Sequence, residues 1–413
     1  MRLSRATPRA MVPTAIFALL LAAGCAVGPN YQPSAQAVPA QWANGSAATT
    51  GAPALSRWWR RLDDPLLDAL VDQAVQGNLD VASAKAKIRE ARATYRQAGG
   101  ALLPTLSGSG GYTRSKSAGA SGLSDTGVVT NQFQLGFDAS WELDLFGANR
   151  RAVEAAGYGV AAAEEDLRDT LLTLVGDVTA YYVEARGYQV RLDLARRTAA
   201  AQRQTADLTR VKFDTGALAA AYAASAEGQA ASTEAQIQAL ENSYATAVHR
   251  LGILLGREPA ALTQTLAVAG PIPKAPTDLP AGIPADILSA RPDVRAAERR
   301  LAQYTAKIGQ AEAARYPSVS LTGSVTTTAA QAGDLAKGSA IGWSFGPTLS
   351  VPLFQGGQLE AAVDVAVAQR DQYAITLRGT VLTALEDVEN ALVALAKGRA
   401  RNERLAASAN AYR

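Results

Sequence analysis

Residues 132–146 read QFQLGFDASWELDLF. Phe133, Leu135, Phe137, Ala139, Trp141, Leu143 and Leu145 take the odd places, and Gln132, Gln134, Gly136, Asp138, Ser140, Glu142 and Asp144 the even ones. Strict period two puts the two sets on opposite faces of a strand. One face is apolar and aromatic and the other carries acids, as a strand between lipid and a watery lumen requires. Gly147 punctuates the pattern. From Ala148 to Phe213 there is no proline, and Val153, Val160, Leu167, Leu174, Tyr181 and Tyr188 recur every seven residues, joined by Leu171, Val178 and Leu192. This heptad stripe predicts one helix of about 95 Å, longer than a globular helix or a bilayer crossing. A membrane strand therefore feeds directly into a very long rod.

The composition narrows the function classes. Net charge is +3 over 413 residues, so no acidic partner or nucleic acid is implied, and scattered Arg reads as solvated helix faces. Cys25 is the sole cysteine, which excludes an internal disulfide and a cysteine metal cluster. No P-loop appears, and no cofactor is expected.

In chain order, Arg2, Arg5 and Arg9 precede an apolar run from Ala10 to Ala23. That run is too short to span a bilayer, so residues 1–24 read as a signal peptide. Residues 25–56, rich in Pro, Ala, Ser and Gly, read as a tether. Asp63-Asp64-Pro65 starts a helix with Leu66, Leu67, Leu70, Val71 and Val75 on one face, broken at Gly77-Asn78. A second helix follows, from 79 to about 98, and then a strand over 104–115. A Ser/Gly-rich loop from Lys116 to Thr130 leads to the central strand, 132–146. Helices over 148–213 and 218–255 are separated by a turn at Asp214-Thr215-Gly216, completing a first repeat over 57–255. Residues 256–284 hold Pro259, Pro271, Pro273, Pro276, Pro280 and Pro284 and read as a connector between halves.

Residues 285–413 repeat the first half. After a helix over 287–315, Tyr316-Pro317-Ser318 takes the place of Leu103-Pro104-Thr105. Strands over 317–328 and 341–354 follow, with Leu353-Phe354 echoing Leu145-Phe146. In the long helix over 357–413, the stretch from Val381 to Val388 lines up with that from Leu171 to Val178. Such duplication is a strong organisational signal.

Four motifs carry a resemblance: Gly24-Cys25-Ala26-Val27-Gly28-Pro29-Asn30-Tyr31, Trp141-Glu142-Leu143-Asp144-Leu145-Phe146-Gly147, Arg291-Pro292-Asp293-Val294-Arg295-Ala296-Ala297-Glu298 and Thr383-Ala384-Leu385-Glu386-Asp387-Val388-Glu389-Asn390. They resemble the TolC-like outer-membrane efflux family in its NodT-type lipoprotein branch. The resemblance implies a mixed fold in which four strands per chain complete a twelve-stranded membrane β-barrel in a homotrimer, above a long-helix α-barrel. It also implies an exit duct for drugs or other small molecules, served by a periplasmic adaptor and an inner-membrane proton-driven transporter of the resistance-nodulation-division type. Leu21-Ala22-Ala23-Gly24-Cys25 resembles a bacterial lipobox, which makes Cys25 the lipidation site, and Ala26 in place of Asp favours sorting to the outer membrane. An ordinary signal peptide with a stray thiol is the alternative. Lys212-Phe213-Asp214-Thr215-Gly216 resembles the family's helical tip, so Lys212, Phe213 and Gly216 are candidate adaptor contacts, with an αL helix cap at Gly216 as the plainer reading.

The residues agree with a trimer on their own account. Four strands leave two open edges, and unpaired backbone in lipid costs several kcal/mol per group. Two copies would give eight strands, filled by side chains, whereas three leave room for a channel. Asp138, Glu142 and Asp144 are then expected to line the lumen and favour cations. Catalysis finds little support. Gly342-Trp343-Ser344-Phe345-Gly346 matches a nucleophile elbow, but Ser344 lies inside an alternating strand, and His249, the only histidine, precedes it. A periplasmic adaptor rod would have no purpose for four alternating strands, and a channel for peptide or protein secretion shares every feature above. The repeat sets Asp387 against Asp177, placing a second tip near position 426, beyond Arg413. The chain is therefore expected to lack its last helix, leaving Leu392, Leu395 and Leu405 with few contacts.

Overall fold

A computed structural model describes residues 26–33, 38–44, 57–117, 128–275 and 288–412. The signal segment, Cys25, most of the tether and parts of the 116–130 loop and the connector lie outside the described residues. Element order is α1 (Pro65–Gly77), α2 (Leu79–Gly100), β1 (Thr105–Lys116), β2 (Val129–Leu143), α3 (Ala148–Asp214), α4 (Ala220–Leu254), α5 (Thr263–Ala267), α6 (Pro292–Ala313), β3 (Ser318–Ala329), β4 (Ile341–Ser350) and α7 (Gln358–Ala411). At 67 residues, α3 runs unbroken for about 100 Å.

The chain divides into two compact units. One takes in residues 89–162, 294–382 and the described residues before 34; it holds the sheet. The four strands are antiparallel in the order β1-β2-β3-β4: β1 with β2 and β3 with β4 are sequence neighbours, while β2 and β3 pair although the long helices lie between them in the chain. β2 stops at Leu143 and β4 at Ser350, short of the expected 146 and 354. The chain turns early because the Leu145 N–H bonds back to the Leu143 carbonyl at 2.7 Å. After β4, Pro352 has no N–H with which to continue a ladder.

The other unit takes in residues 163–293 and 383–412 with the described part of 38–88, and it holds the main apolar core. Leu67, Leu70 and Val71 of α1 meet Leu174, Val178 and Tyr182 of α3 and Leu251 and Leu254 of α4, all of them buried. Asp64 caps α1, accepting from the Leu66 and Leu67 N–H groups at 3.0 and 3.1 Å. The same carboxylate accepts the buried Tyr182 hydroxyl at 2.7 Å, and Arg186 donates to that hydroxyl at 3.2 Å. Burial, followed by the bond to Asp64, raises the Tyr182 pKa. The connector is more ordered than its prolines imply. It contains a 3-10 turn, Pro259–Leu262, and α5, which bury Leu262 and Leu266 in the core. From Ala391 through the end of α7 to Tyr412 no residue is buried, Leu392 and Leu395 are half-buried, and Leu405 is 57% exposed.

Gly256 ends α4 with φ +70°, and the N–H groups of Gly256 and Arg257 return to the carbonyls of Ile253 and Gly252 at 2.9 Å each. A Cβ there would lie 2.1 Å from the Gly77 carbonyl oxygen. Gly256→Ala therefore combines left-handed strain with a backbone clash, and a loss of at least about 1–3 kcal/mol is expected. Thermal unfolding followed by helical circular dichroism checks this, with Gly228→Ala, in open space on α4, as the control that should hold or slightly raise stability.

Candidate functional site

The register of the sheet sorts its side chains into two faces. Leu106, Ala139, Gly323 and Phe345 form one row across the four strands, and Gly108, Phe137, Val325 and Trp343 the next; Trp141-Leu321-Pro347 and Leu143-Val319-Leu349 continue the face. On the other face, Ser107, Asp138, Ser324 and Ser344 share a row, as do Thr105, Ser140, Thr322 and Gly346, and Glu142 lies beside Ser320 and Thr348. From Phe133 to Leu143 the apolar face runs about 33 Å along the strand, or about 25 Å at a 40° tilt, the height of a lipid-facing band. Trp343, Phe345, Leu349 and Phe137 are 78, 71, 64 and 63% exposed, an apolar surface that water does not tolerate. Among the described residues, no helix is long and apolar enough to cross a membrane.

Asp138 and Glu142 stand exposed on the polar face. Asp144 does not join them. It lies past the end of β2, where Oδ1 accepts from the Asn149 N–H at 3.1 Å and Oδ2 from the Arg150 N–H at 2.8 Å. Arg150 Nε completes the arrangement at 3.3 Å, leaving the carboxylate side chain 10% exposed. It is an anionic cap on the α3 N-terminus, favoured by the helix dipole, and the expectation that it lines the lumen is corrected accordingly. Ser344 sits within β4 and shares a 2.8 Å hydrogen bond with Ser324, without the strand-to-helix turn of a nucleophile elbow. Among the described residues, no group of side chains could hold a metal ion.

An N-terminal strap is the feature that sequence reasoning missed. The Val27 N–H donates to the Phe146 carbonyl at 3.1 Å, stitching the chain to the turn between β2 and α3. Arg151, 4% exposed, grips the strap: Nε donates to the Val27 carbonyl at 3.1 Å, and Nη2 to the Gly28 carbonyl at 3.2 Å and Asn30 Oδ1 at 2.8 Å. Nη1 pairs with Glu154 at 2.7 Å. Gly28, at φ +86°, lies so close to α6 that a Cβ would fall 2.4 Å from Gly309 Cα. The Tyr31 hydroxyl donates to Glu298 at 3.0 Å, and burial followed by that carboxylate raises its pKa.

Residues 70–257 and 283–413 match the family described as outer membrane efflux protein. The chain belongs to that family. Nodulation protein T of Rhizobium leguminosarum bv. trifolii is 37% identical over 382 residues, covering 92% of this chain and 81% of the relative. Outer membrane protein OprJ of Pseudomonas aeruginosa is 32% identical over 399 residues, covering 96% and 83%. Among solved structures, the outer-membrane channel OprN superposes with a TM-score of 0.85 at 33% identity, over 94% of this chain and 86% of its own. This chain is thus an outer-membrane efflux channel with the TolC-like fold, from a family of channels and not of enzymes.

In this efflux channel, the expected tip residues sit at the end of α3. The N–H groups of Gly216 and Ala217 bond to the carbonyls of Phe213 and Lys212 at 2.8 Å each, the paired bonds of a Schellman cap, with Gly216 at φ +75°. Arg210 lies 5.9 Å over the Phe213 ring and pairs with Asp214 and Glu227 at 3.5 and 3.4 Å. Lys212 and Gly216 are exposed, and so are Leu208, Val211 and Tyr222 nearby.

Proposed function

We propose that three copies of this chain close one twelve-stranded barrel in the outer membrane, and that their long helices continue the duct into the periplasm. The two-faced sheet carries this reading. Among the described residues β1 and β4 each have one neighbour, so both edges hold backbone groups that lipid would leave unpaired. Val153, Val160 and Leu167 of the heptad stripe stay half-buried in one copy, which leaves apolar surface for another. The duct is passive and catalyses nothing: energy comes from a proton-coupled transporter of the resistance-nodulation-division type in the inner membrane, joined through a periplasmic adaptor that meets the tip around Lys212, Phe213 and Gly216. Relatives are named for solvent and antibiotic efflux, and small apolar or amphipathic molecules of that kind are the proposed cargo.

Cys25 is the proposed lipid attachment site. The strap fixes Val27 at the inner end of β2, so an acyl chain two residues earlier has the inner leaflet within reach. Labelling with radioactive palmitate tests this assignment, and an unlabelled wild-type protein would remove it.

Cross-linking in detergent and planar-bilayer conductance test the duct itself. Trimers and a cation-preferring channel are expected, with the preference reduced in the double variant Asp138→Asn, Glu142→Gln. Monomers and dimers alone, or no conductance, would reject the reading.

A further inference from the structure

The internal duplication also bears on how one copy meets the next, to within two residues: carried over by Leu353-Phe354 for Leu145-Phe146, the register of β1 with β2 sets Ser318 against Thr348, whereas that of β3 with β4 sets it against Ser350. Within the chain, β2 of the first repeat pairs with β3 of the second, setting Trp141 against Leu321, Phe137 against Val325 and Glu142 against Ser320. Where β2 leaves the sheet, Phe146 stacks on Tyr316 with ring centroids 4.7 Å apart. Leu353-Phe354 stands for Leu145-Phe146, and Leu103-Pro104 for Tyr316-Pro317. β4 and β1 of neighbouring copies are the same two repeats meeting once more.

We propose that β4 pairs antiparallel with β1 of the next copy so that Leu349 faces Gly108, Phe345 faces Tyr112 and Ser350 faces Ser107. In the same register Phe354 packs on Leu103 of the next copy, as Phe146 does on Tyr316. The proposal rests on the trimeric reading above. Every pair in it joins apolar to apolar face or polar to polar face, which a slip by one residue would destroy. Phe354 and Leu103 are 88 and 64% exposed in one copy, and Leu106, which falls opposite Val351, is 74% exposed.

Barrel geometry selects among the slips of two that the faces allow. A line across the sheet from Ser107 meets Asp138, Ser324 and Ser344. In the proposed register Ser344 faces Thr113 of the next copy, so the line climbs six residues per copy, from 107 to 113. Three copies give a shear of about 18 and a strand tilt of about 48°, close to the usual barrel range. Slipping two residues one way gives about 56°, well outside that range. Slipping two the other way gives about 37°, which the range allows, but it separates Phe354 from Leu103 and breaks the match to the internal pair.

Cysteine pairs in the full chain read the register directly, since residues facing each other across a ladder have Cα atoms within disulfide reach. Ser350→Cys with Ser107→Cys is expected to give cross-linked dimers and trimers under mild oxidation, at least tenfold above Ser350→Cys with Thr105→Cys or with Ser109→Cys. Leu103→Cys with Phe354→Cys is expected to cross-link as well. Single variants report any bond to Cys25. If trimers persist while the maximum falls on a shifted pair, or on none, the register is overturned and the trimer stands. Loss of both cross-links and trimers in every variant, with the unmodified chain also monomeric, overturns the trimeric reading together with it.

Discussion

Phe137→Arg is expected to abolish barrel assembly, while Asp138→Arg, one residue along, leaves the trimer intact. Phe137 sits near the middle of the apolar face, 63% exposed, with Val325 and Gly108 beside it. An arginine on the lipid face at the bilayer midplane costs about 2–4 kcal/mol, and a trimer repeats it three times, for about 6–12 kcal/mol. That is comparable to the whole stability of an ordinary domain. Asp138 points to the opposite face, beside Ser107 and Ser324, where a cation meets water and alters only the field in the lumen. The readout is the detergent-resistant trimer on unheated gels, alongside bilayer conductance. Wild-type trimer yield from Phe137→Arg would sink the assignment of faces, as would loss of the trimer from Asp138→Arg alone.

β2 was legible because both of its faces meet bulk phases, lipid on one side and water on the other, so no tertiary contact compromises the alternation of Phe133 through Leu143. The same clarity misled at its end. Leu145 and Phe146 keep the parity of the strand although the backbone has already turned, and Asp144 appeared as one more lumen acid when it caps α3. Gly147 followed by helix at Ala148 was the available signal for a cap. The connector hid its order because proline density outweighed Leu262 and Leu266, whose spacing of four residues is one helical turn. The Tyr182-Asp64 bond joins residues 118 apart and leaves no mark on local pattern. The strap was illegible for a related reason: Gly28-Pro29-Asn30 has no period, and its order is imposed by a side chain 121 residues from Asn30. One physical anomaly did point to it. Arg150 and Arg151 stand in the first turn of α3, where the helix dipole opposes cations, so each had to be held by specific acceptors.

Arg151→Met is accordingly expected to free the strap while the barrel persists. The substitution keeps much of the aliphatic volume and deletes the guanidinium, leaving the Val27 and Gly28 carbonyls and the Asn30 amide without their charged donor. Hydrogen bonds from a charged group contribute about 1.5–3 kcal/mol each, and because the bonds share one side chain a joint loss of about 2–4 kcal/mol is expected. When closing is faster than cleavage, protease attack follows the open population, so cutting within residues 26–33 should rise about 30- to 1000-fold. Arg151→Lys keeps the charge but not the planar fork that reaches three acceptors at once, and should fall between. None of the sheet rows includes residue 151, so trimer yield on unheated gels should match the wild type in both variants. Equal cleavage rates for the wild type and Arg151→Met would show that the strap is held by Gly28 packing on Gly309 and by the Tyr31-Glu298 bond instead. In that case Gly309→Val, whose Cβ would come within 2.9 Å of the Val27 carbonyl oxygen, is the variant that should release it.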